Sequence, residues 1–569
     1  MSSQTLLNQA ISLHQAGKPA EAERAYEQAL AADPRNYPAR YRLALLLYQQ
    51  QRAPEALRAV DAALLLHPDA GEALLLRSVL LAEAGHLDEA LACTSRMTAR
   101  GSPGAEAWHT RGVILTRLCR PDEALRSFDM ALAVNPAFVP ALCQRSNALM
   151  DLKRYREAVA AFDKTLAHAP ALFDAWSNRG LALYDMELFA ESLKSYDKAI
   201  ALRPDMASAW SNRGKALDRL QRFEEALANF EKALALAPED MEAWYARALT
   251  LRTMHRLEES LECVDRALEI RADHLALSFL RGWLLCELNR ITEGLAVIRR
   301  AAEQRLRSPA DHQPAVSAHM FRHAAEQHDY LATQGVRLND GDLHLMEGSR
   351  IGGLAINPAN ATLAAAQWDE SRPRIAVIDD LLTEEALEAL RRLCWGSTFW
   401  RTSYDDGYLG ATPERGFAAP LLAQIAEELR DTFPTIVGDH RLRMLWGFKY
   451  DSRLRGIGLH ADQAAVNVNF WITPDDANLK AGTGGLVIWD VAAPPEWDVR
   501  TYNGDPAAVR AFLRESGAKA VTVPYRANRA VIFDSDLFHE TDAIDFKEGY
   551  LNRRINLTML YGRRTHYGR

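Results

Sequence analysis

The opening segment, MSSQTLLNQAISLHQAGKPAEAERAYEQAL, sets apolar against charged positions with the period of an α-helix, and the same texture runs on for some three hundred residues. Prolines punctuate it at Pro34, Pro68, Pro136, Pro170, Pro204 and Pro238, spaced by 34 or twice 34 residues, the length of a two-helix unit. Trp108, Trp176, Trp210 and Trp244 keep that spacing, as do Gly112, Gly180 and Gly214. Ala124, Ala158 and Ala226 recur with Phe128, Phe162 and Phe230. Large, small and helix-ending positions therefore return together, and counting outwards predicts nine units from about residue 3 to 308. The outer units are degenerate: Leu6 and Arg40 hold the tryptophan position, and Ala272 the proline position.

This pattern resembles the tetratricopeptide repeat (TPR), whose small residues let paired helices approach, whose aromatics fill between them and whose proline ends the second helix. The resemblance implies an α-helical solenoid with a concave face for a protein or peptide, its stripe of Trp, Leu and Ala forming the core. Asn178 and Asn212 stand at equivalent places in two copies of WSNRG, where an asparagine would bond a ligand's backbone. Drift between duplicated units accounts for them equally well.

Beyond residue 308 the pattern changes. Residues 309–372 carry His312, His319, His323, His328 and His344 and read as a helical linker packing the solenoid's end onto the next domain. His319, His323 and Gln327 share one helix face. With no cysteine nearby and no glutamate in the zinc-protease position, packing outweighs metal binding there. From 373 to 569, RIAVIDD opens with a strand, LTEEALEALRRLCW is an amphipathic helix capped by Thr383, and PLLAQIAEELRDTF is a second. Strand patterns follow over 443–450, 456–462, 465–473, 484–490, 520–525, 529–536 and 553–562. So many short strands with few helices between them predict a sandwich or barrel of jelly-roll type, hence an α+β domain after the solenoid.

Composition narrows the function classes. A net charge of −8 gives no global attraction to nucleic acid or to an anionic membrane, and neither is expected as a partner. No run of 18 apolar residues and no basic leader with an apolar core appears, so a cytoplasmic location is expected. Cys93, Cys119, Cys143, Cys263, Cys286 and Cys394 form no CxxC pair, which predicts reduced, mostly buried thiols.

Candidate chemistry centres on one His-x-Asp triplet. His67-Pro-Asp69 and His86-Leu-Asp88 fall in repeat linkers, whereas His460-Ala-Asp462 ends a predicted strand, where residues i and i+2 face the same way and can converge on one ion. His539 offers a third ligand, and two neutral imidazoles with one carboxylate leave the other positions of a metal open. His460-x-Asp462, then His539, then Arg554 resembles the Fe(II)- and 2-oxoglutarate-dependent dioxygenases with a double-stranded β-helix core, over roughly the last 130 residues. The flanks resemble their prolyl hydroxylase-like branch: Tyr450 before the triplet, GGLVIWD between the ligands, PYRANRAVIFDSDLFHE leading into His539, and a closing strand from Arg554 to Tyr561. The resemblance implies Fe(II) on His460, Asp462 and His539, with 2-oxoglutarate and O2 as cosubstrates, ascorbate as an optional reductant, and Arg554 on the cosubstrate's far carboxylate. Alternation puts Asn556 and Thr558 on the face of Arg554 and turns Arg553 away. Tyr450, Asn467, Asn469 and Thr558 are further candidate cosubstrate contacts, and Trp471 shares the face of the two asparagines.

Asp462 and His539 are 77 residues apart, and two insertions between them, DDANLKAG and PPEWDVRTYNGDPAAVRAFLRESG, are expected to rim the site. The segment 402–416 reads as a lid or a plain loop, and Asp534 or Asp536 as a group orienting a ligand histidine or capping a turn. The expected function is hydroxylation of a protein or peptide delivered by the solenoid. Alternatives are a small-molecule oxygenase with repeats for assembly, a scaffold with an inactive oxygenase domain, and an unrelated metal cupin. Intact His460, Asp462, His539 and Arg554 speak against the scaffold, and Arg554 with Tyr450 against the cupin.

Overall fold

A computed structural model describes residues 1–99, 103–307, 317–339, 342–404, 407–451, 456–494, 496–497 and 499–563. His312 and the tip of the 402–416 segment, Asp405 and Asp406, lie outside the described residues. Among these, eighteen helices run from Ser3–Gln15 to Ile291–Leu306 as successive hairpins, such as Phe173–Asp185 with Phe189–Leu202. The spacing of small and large residues explains the pairing. A Cβ on Gly112, Gly180 or Gly214 would lie 2.4, 2.7 or 2.7 Å from the ring of Phe128, Tyr196 or Phe230, so these hairpins close only over glycine.

Two features of the hairpins go beyond the sequence reading. Trp176 and Trp210 are half-buried, Trp176 packing against the repeat core from its margin, and each donates its indole N–H to the carbonyl of Pro170 or Pro204 at 2.9 Å, tying the helix to the preceding repeat's end. The turn inside each hairpin carries one left-handed residue, with Gly at only 17 and 85; Gln51, Cys119, Lys153, Glu187, Gln221, His255 and Asn289 adopt φ of 55–66°. Each such conformation costs a side-chain-bearing residue about 1 kcal/mol. The turn's backbone bonds offset it, as where Leu188 N–H reaches Leu183 O at 2.9 Å.

The chain forms two compact units, Met1–Pro238 and Glu239–Arg569. In the second, helices Met241–Thr253 to Ile291–Leu306 are followed by Ala318–Thr333, Ala361–Glu370, Glu384–Gly396 and Pro420–Thr432. Among the described residues its ten strands are β1 (Ile375–Ile378), β2 (Thr402–Tyr404), β3 (Tyr408–Ala411), β4 (Leu442–Tyr450), β5 (Val466–Trp471), β6 (Leu486–Ala492), β7 (Ala520–Val523), β8 (Ala530–Asp534), β9 (Leu537–Thr541) and β10 (Ile555–Tyr561). They make two antiparallel sheets, ordered β1-β8-β5-β10-β4-β3-β2 and β7-β6-β9. Strand alternation decides what each face does. Val466, Val468 and Phe470 join Leu557 and Met559 in the core with Leu390, Leu422 and Ile425 of the covering helices. The opposite face carries Asn467, Asn469, Asn556 and Thr558. The same core takes in Cys286, Ile291, Leu295 and Ile298 from the last two repeat helices.

The helix Ala318–Thr333 buries His319, His323 and Gln327 together, as their spacing requires. Gln327 Nε2 donates to Ser397 O and Tyr550 Oη, both at 2.8 Å, so this face packs and bonds. No helix among the described residues is long and apolar enough to cross a membrane.

Candidate metal centre

His460 and His539 meet through a short antiparallel bridge: His460 N–H donates to His539 O at 3.0 Å and His539 N–H to His460 O at 2.8 Å. The strand expected over 456–462 reduces to this one bridge, while His539 sits on a strand of its own, β9, beyond the one expected over 529–536. Asp462 N–H is held by Ser535 O at 3.1 Å. Ligand atoms of His460, Asp462 and His539 consequently all lie within 4.8 Å of one another, and among the described residues they form the one such cluster. His319 and His323 contribute to none.

Each imidazole bonds the carbonyl two residues before it, His460 Nδ1 to Gly458 O at 2.8 Å and His539 Nδ1 to Leu537 O at 3.0 Å. With Nδ1 donating, Nε2 carries the lone pair, and the orienting groups are backbone carbonyls in place of Asp534 or Asp536. The Nε2 atoms face the carboxylate at 3.9 Å (His460) and 3.5 Å (His539). Burial, then the neighbouring His539, pushes His460 down to about 4, so the ring is neutral near pH 7. Burial pulls the Asp462 carboxyl up, but the polar groups around it, the imidazoles of His539 and His460 and the amide N–H of Asn467, outweigh it and hold it below its ordinary range. Three electron-pair donors aimed at one point repel one another until a cation lies between them, and two imidazoles with a carboxylate suit a divalent transition metal. The residues present fit one.

The triad lies in a cavity of about 1120 Å³ that is also lined by Tyr450, Asn467, Asn469, Arg554, Asn556 and Thr558. Arg554 is 1% exposed and makes no ion pair among the described residues. Its guanidinium donates to Gly484 O at 2.6 Å and Asn556 Oδ1 at 3.2 Å and lies 4.6 Å from the Tyr450 ring. The Gly-Gly pair is explained here: Gly484 has φ +83°, and a Cβ on Gly485 would fall 1.8 Å from Val523 O. Arg553 points to the other face, pairing with Glu326 at 2.9 Å and Asp451 at 3.6 Å. Asp542 lines the same cavity and acts on the Arg554 charge without pairing with it, and a buried guanidinium in no ion pair among the described residues suits an incoming carboxylate.

Several lining residues escaped the sequence reading. The 402–416 segment is neither lid nor plain loop; its strands β2 and β3 extend the larger sheet beside β4. Tyr404 and Tyr408 stack at 4.5 Å, Phe448 stands edge-on to both, and Trp446 completes an aromatic wall of the cavity. The alternation Trp446, Phe448, Tyr450 was the available signal. Of the two insertions, the longer one rims the cavity with Asn503, Pro506 and Arg510. DDANLKAG does not, because Asn478 bridges Phe546 and Leu479 N–H bonds Asp545 O instead. Trp471 shares the asparagines' strand face but belongs to the core with Tyr525 and Phe546.

Comparison with known proteins bears on the repeats. The tetratricopeptide-repeat family matches residues 13–72, 51–105, 105–138, 143–207, 178–240, 211–273 and 245–309. Residues 13–309 are a TPR array. Solved structures similar to it include a tetratricopeptide repeat protein from Parabacteroides merdae (22% identity, 44% of this chain and 98% of that one, TM-score 0.34). MamA from Desulfovibrio magneticus RS-1 is another (24%, 30% and 95%, TM-score 0.29). A third is YrrB, described as a TPR protein with an unusual peptide-binding site (24%, 30% and 89%, TM-score 0.28). No curated protein matches the chain. Within the TPR array, Asn178 Nδ2 donates to Asn147 Oδ1 at 3.0 Å, and Asn212 is half-buried. His67 caps a TPR helix and Asp69 pairs with Arg96 at 2.7 Å, consistent with a linker role for that His-x-Asp triplet.

Proposed function

We propose that the second unit is an Fe(II)- and 2-oxoglutarate-dependent dioxygenase with a double-stranded β-helix core, hydroxylating a protein or peptide that the TPR array recruits. The observation that carries this reading is the presence, in one cavity, of a His–Asp–His cluster whose donor atoms converge and a buried arginine that makes no ion pair among the described residues. Strand order supports it: from β4 to β10 the chain passes back and forth between the larger sheet and the smaller one. The six free cysteines, four of them buried, support a reducing, cytoplasmic setting.

In this reading His460, Asp462 and His539 would hold Fe(II). The bound metal supplies oxygen activation coupled to oxidative decarboxylation of 2-oxoglutarate. Arg554 offers its remaining N–H donors to the cosubstrate's distal carboxylate, with Tyr450 and Thr558 beside it. Asn469 and Thr558, bonded to each other at 3.0 Å, complete a polar wall, since either can reverse its donor and acceptor roles. The aromatic wall of Tyr404, Tyr408, Trp446 and Phe448 faces the substrate and keeps water from the reacting carbon.

The test is anaerobic titration of the full chain with Fe(II), followed by 2-oxoglutarate turnover and a search for a 16 Da gain on peptides from a lysate. One metal per chain, succinate formation lost in Asp462→Ala, and a modified polypeptide are expected. Stoichiometric iron retained in Asp462→Ala, or no 2-oxoglutarate consumption by the iron-loaded protein, overturns the reading.

A further inference from the structure

Asn467 lies on β5 with 1% of its surface exposed, five residues beyond Asp462. Its Nδ2 donates to Asp462 Oδ2 at 2.8 Å. An ionised carboxylate only accepts hydrogen bonds, so this contact dictates the orientation of the amide: nitrogen toward Asp462, oxygen away from it. The oxygen so placed is buried and has no hydrogen-bond partner among the described residues, although the residue lines the cavity. Buried amide oxygens are nearly always satisfied, and an orphan beside a ligand cluster points to a donor the chain itself does not supply. Asn469 presents a different case, because Thr558 Oγ1 can either accept from or donate to its amide. Only Asn467 is locked as an acceptor.

The occupant must therefore carry a proton on a small polar atom. The 2-oxoglutarate dianion and O2 have none to give. We propose that Asn467 is a positioning residue with two tasks: its N–H restrains the Asp462 carboxylate to one rotation, and its oxygen holds a water molecule in the cavity beside the three ligands. The inference rests on the metal reading above and deepens it. Through the first task Asp462 Oδ2 is occupied and Oδ1 receives no hydrogen bond among the described residues, which leaves Oδ1 the freer oxygen for a cation. Through the second, the water has a fixed partner on the protein side and enters and leaves more slowly than an unrestrained one.

The test compares the full-length protein with Asn467→Leu, which removes both bonds at similar volume, and Asn467→Ser, which keeps a small polar group and secures a folded variant. Co(II) affinity is measured by competition with a chromophoric chelator, the bound Co(II) absorption spectrum is recorded, and water-proton relaxivity of the Mn(II)-loaded protein reports the water. The expected result is Co(II) binding weakened about tenfold to a hundredfold in both variants, the range for groups that orient metal ligands. A shifted Co(II) spectrum and an altered relaxivity are expected with it. Unchanged affinity and spectrum in both variants overturn the proposal. Weakened affinity with unchanged relaxivity overturns its water half. Failure of the unsubstituted protein to take up either metal overturns instead the metal reading on which the inference rests.

Discussion

Cutting the chain where the repeat periodicity ends, at 308/309, should destroy the second unit, whereas cutting at 238/239 should leave it folded. The last repeat helix, Ile291–Leu306, gives Ile291, Leu295 and Ile298, and the helix before it, Leu275–Glu287, gives Cys286, to the core that contains Leu422, Ile425 and Met559, each at most 1% exposed. Burying one such aliphatic side chain is worth about 1.5–3 kcal/mol, so losing three removes about 4.5–9 kcal/mol. Polar losses add to this. Glu414 loses the Trp283 Nε1 donor at 2.7 Å, Glu427 loses the Thr292 hydroxyl at 2.7 Å, and Arg443 loses Glu287, its partner at 3.5 Å. Domains are stable by only about 5–15 kcal/mol, so a 309–569 fragment has little or nothing left. Urea unfolding followed by circular dichroism should show a cooperative transition for 239–569 and none, or a much earlier one, for 309–569. A 309–569 fragment unfolding within about 1 kcal/mol of 239–569 would refute the shared-core argument. The same pair decides how delivery is tested, because only a folded fragment lacking residues 1–238 can show that 2-oxoglutarate turnover survives while polypeptide hydroxylation is lost.

Arg554→Ala should weaken 2-oxoglutarate use by tens to thousands of fold, the loss of one partner of a buried charged pair being worth about 2–5 kcal/mol. Arg553→Ala, which breaks pairs to Glu326 and Asp451, should lower stability and leave the cosubstrate KM unchanged, and equal KM effects in both would undo the strand-face assignment. His323 is buried beside Lys449, Arg553 and His319, and burial first, then their charges, hold it well below 6.5. Unfolding lets it take a proton, so this contribution to stability is complete above about pH 6.5 and is lost as pH falls, by at most about 1.4 kcal/mol per pH unit. Urea titrations between pH 7.5 and 5.5 should show that slope reduced in His323→Gln; parallel slopes would contradict the burial. In the first unit Gly214→Ala should cost about 1–3 kcal/mol, since its Cβ would stand 2.7 Å from Phe230, whereas Gln221→Gly, at φ 60°, should gain about 1 kcal/mol in thermal unfolding.

Much of the candidate site was legible because its determinants are local. His460 and Asp462 are two residues apart, and Arg554, Asn556 and Thr558 alternate on one strand, so backbone geometry alone sets their common direction. The aromatic wall was missed because Tyr404 and Tyr408 sit in a Gly-rich segment with turn composition and become strands only by pairing with β4. The left-handed turns at Gln221 and its equivalents were invisible for a related reason: a cooperative hairpin holds a conformation that the residue type does not favour. Asn467 was read as a cosubstrate contact, and the structure joins it to Asp462.

Period, helix ends and the choice of glycine against aromatic were determined by the sequence itself, because a 34-residue unit packs on its neighbours through residues at fixed spacing. The convergence of His460 with His539, the burial of Arg554 in no ion pair among the described residues, and the passage of the last repeat helices into the β-domain's core were decided only by tertiary structure. These contacts join residues far apart in the chain, and which of many possible strand and helix pairings forms depends on the burial of the whole apolar surface at once.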